Sequence, residues 1–573
     1  MKVIRFLPLI LMLCLFSCEQ DEALLLTPAE DAESFAKLIE TRSATDDFEV
    51  FFAQTHVLRP QDPYFGLVSD RPVLIKAHLT SETGEAAPEM LATLTLNGNT
   101  TTLELTGPAF LPPATDLSPG KVVHSFDDSY TKTIPKEWVQ PGLEITIQAG
   151  DKQVQFTDLL IGAPNRIPIT MLDAHFFVEG TGDYPSGWEE DMAAKLPMAD
   201  FDLRRIPNVV FPEVSIAARH GQVRAVRTSS VEDYKTLTGV EFDNEQTTVS
   251  MWNKALHAAG GLITERGLFF TNTYNIETNG QGSHLNGLSN INKPGVFFHE
   301  FGHTMDLWHW GERGWDSKYP YREAMHGIAA PTKQRGVHAG PTWKYDLEKE
   351  EFISPIIDGG FGLRYKKDPM AGGGQADRAP GHLFSHFSDY SVDRARNFLQ
   401  NKVAVWNESE GVYARWSQAT GSYSKIIKHN NGVAFPQEPD TDVISIMASV
   451  SYATPEANLV YTPIGPYKGG IIKLFDAENA DDRNEANRLY CKAGQCDVSV
   501  RVKQAHKEET TYIFPMRVNP SIGKKKWNSL LTRAINLRAS DGEVTKVELL
   551  YTPRVEEVGL PAVPRILDTW EKE

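Results

Sequence analysis

The stretch Val296 to Trp310, VFFHEFGHTMDLWHW, leaves the chain few ways to fold around it. It sets His299, Glu300 and His303 in the pattern H-E-x-x-H and adds His309 six residues after His303. On a helix, residues four apart share a face, so His299 and His303 can offer two imidazoles to one metal ion while Glu300, turned by about 100°, reaches the water beside it. Pro294 suits the first helical position, where its missing N–H costs nothing. If the helix simply continued, His309 would stand about 120° away from His303. A third ligand therefore requires the helix to stop, and Asp306 is where the chain must swing back. Three neutral imidazoles on Zn²⁺ leave a fourth position for water, whose pKa falls to about 7, with Glu300 as the base that takes its proton and passes it to a leaving amine. The spacing points to one catalytic zinc ion and to metal-assisted hydrolysis of a peptide bond. Phe297, Phe298, Phe301 and Met305, spaced by three and four, are assigned to core packing.

A chain of 573 residues can bury several such cores. Its formal charge of −18 argues against nucleic acid as a partner, since phosphate binding draws on clustered Lys and Arg. Lys2 and Arg5 precede an apolar run, Phe6 to Phe16, that is too short to span a bilayer, so residues 1–17 read as an export signal. Leu15, Phe16, Ser17 and Cys18 resemble the lipobox of bacterial lipoproteins, in which the cysteine is lipidated; residues 18–44 then form a tether. The acid-rich Glu19-Gln20-Asp21-Glu22 is either a surface-export tag or a solvated linker. The expectation is an exported bacterial lipoprotein held by its lipid anchor in the outer membrane, at the cell surface. With Cys14 in the signal and Cys18 as the lipid site, Cys491 and Cys496 remain in the folded protein. In an exported chain they read as a local disulfide, with two free thiols as the alternative.

Short runs of alternating apolar and polar residues, such as Ala92-Thr93-Leu94-Thr95-Leu96 before Asn97-Gly98, mark residues 45–158 as a β-sandwich. A second all-β pattern fills 437–573. The middle, 159–436, mixes helical periodicity with glycine-rich loops and holds most of the histidines and tryptophans. No Gly-x-Ser-x-Gly elbow or Walker A loop supports another chemistry.

The motif resembles the H-E-x-x-H-x-x-G-x-x-H frame of the metzincin zinc proteases, with Asp306 in place of their glycine. Glycine serves a left-handed turn there, and Asp is among the few residues that tolerate one; a displaced His309 or Asp306 itself as a ligand are the alternatives this leaves. Asp368-Pro369-Met370-Ala371-Gly372-Gly373 resembles the metzincin methionine turn, with Met370 beneath the metal. Together with Leu160 to Asn165, Val337-His338, Thr342-Trp343-Lys344-Tyr345-Asp346, Arg396 to Val405 and, more loosely, Phe52 to Val57, these segments are similar to the StcE-like mucin-degrading metalloproteases, also described as ToxR-regulated lipoprotein peptidases.

The fold expected from this resemblance is α+β, a metzincin-like zinc protease domain flanked by N-terminal and C-terminal β-sandwich-like domains. The activity it implies is zinc-dependent endopeptidase cleavage of mucin-type O-glycosylated proteins. The tryptophans Trp308, Trp310, Trp315 and Trp343 offer flat faces for sugar rings, and Trp343 is the candidate subsite wall, with core packing as its alternative. Tyr390 is the candidate oxyanion donor after the methionine turn, although Phe387 aligns with the family's tyrosine. His338 is a candidate substrate contact or an ordinary structural histidine, and His284 either lines the cleft or is a plain loop residue. Two other functions fit the same residues: a surface glycan-binding lipoprotein that has lost turnover, and a general zinc endopeptidase indifferent to glycans.

Overall fold

The computed structural model describes residues 48–573 apart from 118–120, 181–183, 222, 262–266, 277–279, 311–317, 373–375, 427–434, 492–495 and 519–520. The export signal, Cys18, the tether and Trp315 lie outside the described residues. Strand outweighs helix, 38% against 17%, so the chain is mostly β rather than the expected α+β mixture. Much of the glycine-rich middle forms short hairpins and loops.

The alternating N-terminal segment forms two four-stranded antiparallel sheets. Along Met90–Leu96, Met90, Ala92, Leu94 and Leu96 are buried and the residues between them are not, as the two-residue period of a strand demands. The chain returns through Asn97 and Gly98, whose φ values of 50° and 79° are the left-handed pair that a two-residue hairpin requires. Val73, Ile75 and Ala77 of the facing sheet meet Ala92, Leu94, Ile145 and Ile147 in one core.

The functional region is built on a five-stranded sheet. Its spatial order is Asp202–Phe211, Pro168–Phe176, Leu268–Tyr274, Asn286–Ser289 and Gln281–Ser283. The first four are parallel, and the short outer strand runs against its neighbour. Leu268–Tyr274 is buried along its whole length, as a parallel strand covered on both faces must be. Alternation decides which layer each side chain joins. Met171 and Phe270 face the helix Pro294–Thr304 and its phenylalanines. Leu172, Ala174 and Phe269 face the helix Glu245–Ala259, whose Trp252 is fully buried.

Beyond residue 437, the long strand Glu438–Ser451 is covered on both faces. Ile444, Ile446 and Ala448 pack on Val498, Val500 and Leu549 of a second sheet. Val443 and Met447, facing the other way, share the core of Trp252 and Tyr461, and the Trp252 indole donates to the Tyr461 hydroxyl at 3.1 Å. Cys491 and Cys496 are joined as a disulfide. Within this C-terminal stretch, read as all-β, lies a helix, Ala480–Leu489, capped by the Asn479 side chain on the N–H groups of Asp481 and Asp482. It buries only Ala486, so no apolar period announced it; the cap and the acidic first turn were its signals.

Candidate metal centre

The helix Pro294–Thr304 begins with Pro294 in its first turn and buries Phe297, Phe298 and Phe301. Phe298 stacks on Phe384 and Phe387, with ring centroids 5.0 and 4.6 Å away. These rings are delivered by a loop held in a buried ion-pair knot. The Asp191 carboxylate accepts the Leu383 and Phe384 N–H groups and pairs with Lys195 at 2.6 Å. With one side fixed in this way, the helix turns His299 and His303 to the other.

The helix ends in a Schellman closure. Leu307 N–H donates to the Gly302 carbonyl at 3.2 Å and Asp306 N–H to that of His303 at 3.2 Å, while Asp306 takes a left-handed φ of 63°. The chain thus swings back at Asp306 and brings His309 to the other two histidines. His299 Nε2 lies 3.0 Å from His309 Nε2 and 3.2 Å from His303 Nε2. Among the described residues, these three imidazoles form a group close enough to hold a metal ion.

The donors fit a divalent cation. His299 Nδ1 lies 2.8 Å from the Pro369 carbonyl and His303 Nδ1 lies 2.6 Å from that of Leu307. A carbonyl only accepts, so both Nδ1 atoms carry the proton and both Nε2 atoms present lone pairs. Burial, opposed by the Pro369 carbonyl, pushes His299 down to about 4, and burial with the neighbouring imidazoles pushes His303 down to about 3. The Nε2 lone pairs of His299 and His303, 3.2 Å apart, repel unless a cation lies between them. Tetrahedral Zn–N bonds of about 2.0–2.1 Å place the nitrogens about 3.4 Å apart, close to this arrangement. Glu300 follows His299 and is 7% exposed, and burial pushes its carboxyl up to about 8.

Asp306 is not a fourth member of the group. Its carboxylate is engaged elsewhere, by Arg394 Nη2 at 2.6 Å, His284 Nε2 at 3.1 Å and Trp308 Nε1 at 3.3 Å. Arg394 Nε also donates to the Asp306 carbonyl at 2.7 Å, and its guanidinium lies over the Trp308 ring at 4.7 Å. Burial works to raise the Asp306 carboxyl, but the His284 hydrogen bond and the Arg394 charge outweigh it and hold the group below the usual range. The alternative that made Asp306 a ligand is thereby corrected: a residue that costs about 1–2 kcal/mol in the left-handed region has its own set of partners.

Met370 is buried against the same helix. A Cβ on Gly302 would lie 2.6 Å from its sulfur, so glycine is what lets the two approach. The loop is locked by Asp368, which accepts from Met370 N–H at 2.7 Å and Ser388 N–H at 2.9 Å. The Met370 carbonyl in turn accepts from Trp310 N–H at 3.0 Å, next to His309.

The other candidates have partners of their own. His338 is fully buried, stacked on Tyr365 with centroids 4.5 Å apart and bonded to the Glu323 carbonyl, a packed structural histidine. Trp343 closes the seam to the N-terminal sandwich: its indole donates to the Val122 carbonyl at 2.9 Å and packs with Phe51, Leu74 and Tyr345. Tyr390 has its ring among Tyr64, Trp310 and Tyr319. Phe387 belongs to the core. Trp310 is buried on Tyr319, whereas Trp308 is 38% exposed beside Asp306.

Two residues that the sequence reading passed over shape the site most directly. The outer strand Gln281–Ser283 crosses the helix so closely that a Cβ on Gly280 would meet Glu300 Cγ at 2.5 Å. One on Gly282 would meet the Glu300 carbonyl oxygen at 2.2 Å and His303 Cβ at 2.7 Å. The alternating glycines at 280 and 282 were the available signal. Gly282→Ala is expected to lift the strand off the helix and lower kcat/KM about tenfold, because neither atom in its way is a flexible chain end. Steady-state kinetics on a cleaved peptide would show this, and unchanged activity would mean that the strand does not need to seat there.

Comparison with known proteins agrees with this geometry. The chain is similar along 90% of its length to Dictomallein-2 of Dictyostelium discoideum, at 24% identity and covering 94% of that protein. It is also similar to Dictomallein-4 of the same organism, at 22% identity over 91% of this chain and 94% of the relative. Residues 120–404, which contain the histidine cluster, the methionine loop and the outer strand, match the model of the Peptidase M66 family, and that match supports a peptidase.

Proposed function

We propose that this protein is a zinc-dependent endopeptidase of O-glycosylated, mucin-type proteins, with His299, His303 and His309 as the metal ligands and Glu300 as the general base. The observation that carries the reading is the convergence of three imidazole Nε2 atoms beside a buried carboxylate, within a segment matched by a peptidase family. Zinc held there would supply a Lewis acid that polarises the scissile carbonyl and acidifies water. Glu300 takes the proton from the attacking water and delivers it to the amide nitrogen as the bond breaks. Among the described residues the outer strand Gln281–Ser283 pairs with one neighbour in its sheet, and we assign its other edge to an extended peptide that adds by main-chain hydrogen bonds. Trp308, exposed beside the ligand turn, is assigned to the sugar nearest the cleaved bond. Asp306, which together with the two flanking β modules suggests a non-catalytic reading, is accommodated in its turn by Arg394, which supports the catalytic one. The lipobox-like Cys18 places the enzyme, in this proposal, on a lipid anchor at the outer surface of the cell.

The test is mass spectrometry of an O-glycopeptide and its glycan-free twin after incubation with zinc and the protein, Glu300→Gln serving as control. Cleavage of the glycopeptide alone, absent in the variant, is expected. Equal cleavage of both peptides would reduce the proposal to a general peptidase. Trp308→Ala should raise KM for the glycopeptide about fivefold with little change in kcat, since a stacked ring binds ground and transition states alike.

A further inference from the structure

A cleft of about 510 Å³ opens where four parts of the fold meet, lined by none of the residues of the histidine cluster. Its walls come from the segment Pro164–Pro168, from Arg204 of the central sheet, from the hairpins of a three-stranded sheet spanning Ala404–Asn407, Val412–Ser417 and Ser422–Lys425, and from Pro439 and Asp440 at the start of the C-terminal module. Sites for small molecules favour such meeting points, and this volume lies within their usual range of about 300–1,000 Å³.

The lining has two components. Trp406, Tyr413 and Tyr423 bring aromatic rings, Trp406 lying edge-on to Tyr413 across the hairpin with centroids 5.1 Å apart. Facing them are two arginines that already hold carboxylates. Arg166 bridges Asp70, at 2.7 Å, and Asp200. Arg204 bridges Asp202, at 2.6 Å, and Asp440. Glu408 adds a further carboxylate to the wall. With each guanidinium matched in this way, the described residues lining the cleft offer no unmatched positive charge to a phosphate, sulfate or carboxylate ligand. Its charged rim is equally unsuited to a large apolar molecule. What it presents is aromatic side chains beside closely spaced N–H donors and carboxylate acceptors. That combination suits a neutral polyhydroxylated ring, whose C–H face lies on an aromatic and whose adjacent hydroxyls both donate and accept.

We infer that this cleft is a second saccharide site, taking one or two neutral pyranose units of a glycan through Trp406, Tyr423, Arg166, Arg204 and Asp440. It goes beyond the proposed peptidase activity, and its test does not read cleavage. The full chain carrying Glu300→Gln is titrated with the methyl glycosides of N-acetylgalactosamine and of galactosyl-N-acetylgalactosamine, and with the sialylated form of the latter, by saturation-transfer NMR and calorimetry. Saturable binding of a neutral glycoside is expected, weakened at least tenfold by Trp406→Ala. Asp440→Asn serves as the second variant: Asp440 has a φ of 62°, which asparagine tolerates, so the fold is kept while the carboxylate is lost. It should weaken binding about threefold. Absence of saturable binding, binding unchanged in both variants, or tighter binding of the sialylated glycoside than of the neutral one would overturn the assignment.

Discussion

Glu300→Gln is expected to lower peptide hydrolysis by a factor of about 10³ to 10⁴ while metal stays bound. The amide keeps the size and burial of the carboxyl but cannot take a proton from water, and none of the three imidazoles is altered. A variant that kept full activity would refute the assigned base, whereas one that lost zinc would show Glu300 to be a structural member of the site. A second readout is independent of substrate. In the metal-free protein burial raises the Glu300 carboxyl to about 8, against about 4.3 for an exposed glutamate. The folded state then holds this proton more tightly than the unfolded state. The group's contribution to stability is therefore fully present below about pH 4.3 and is lost as pH climbs to about 8. Glutamine escapes that loss. Metal-free wild type and variant should melt together near pH 4.5 and separate by several degrees at pH 8.5, the variant higher. Zinc should narrow the gap, because a cation favours the charged carboxylate.

Arg394→Met is expected to damage the metal centre without touching a ligand. The guanidinium holds both the carboxylate and the carbonyl of Asp306 and covers Trp308, so it fixes the turn that carries His309. Its loss leaves a largely covered carboxylate with His284 and Trp308 as its partners among the described residues, in a backbone conformation that aspartate adopts at a cost. The expected result is about 2 kcal/mol of stability and a 10- to 100-fold weaker hold on zinc, the range seen when outer partners of metal ligands are removed. Asp306→Gly alone should be mild, since glycine takes the left-handed turn freely while the ion pair is lost. Combined with Arg394→Met, it should recover much of the deficit, because no unpaired carboxylate remains. Melting curves and chelator competition on the four proteins close this cycle. An Arg394→Met protein that binds zinc as wild type does would show that the turn needs no clamp.

The H-E-x-x-H spacing was legible because helix geometry is local: residues four apart share a face in any fold, and Pro294 marks where the helix starts. The left-handed turn at Asp306 was legible for the same reason, since a third histidine six residues on cannot join the others otherwise. The hairpin at Asn97-Gly98 and the Cys491–Cys496 pair likewise depend on residues close in the chain. Trp343 and His338 show where local reading stops. Both lie in segments matching a family pattern, yet one is bound into the seam with the sandwich and the other into a stack on Tyr365. Whether an aromatic face is open to a sugar depends on what packs over it, and nothing in its neighbours along the chain encodes that.

By itself the sequence determined the identities and spacing of the metal-capable histidines, the carboxylate beside them and the turn that joins them, all within a dozen residues. Only the tertiary structure decided that Arg394, 88 positions from Asp306, holds that turn, that Gly280 and Gly282 bring a strand against Glu300, and that Arg166, Arg204 and Trp406 meet around a cleft. The physical reason is one of range. Backbone preference and helical phase act over a few residues and are written along the chain, whereas ion pairs, close approaches and cavities arise between segments whose meeting is settled only when the whole core packs.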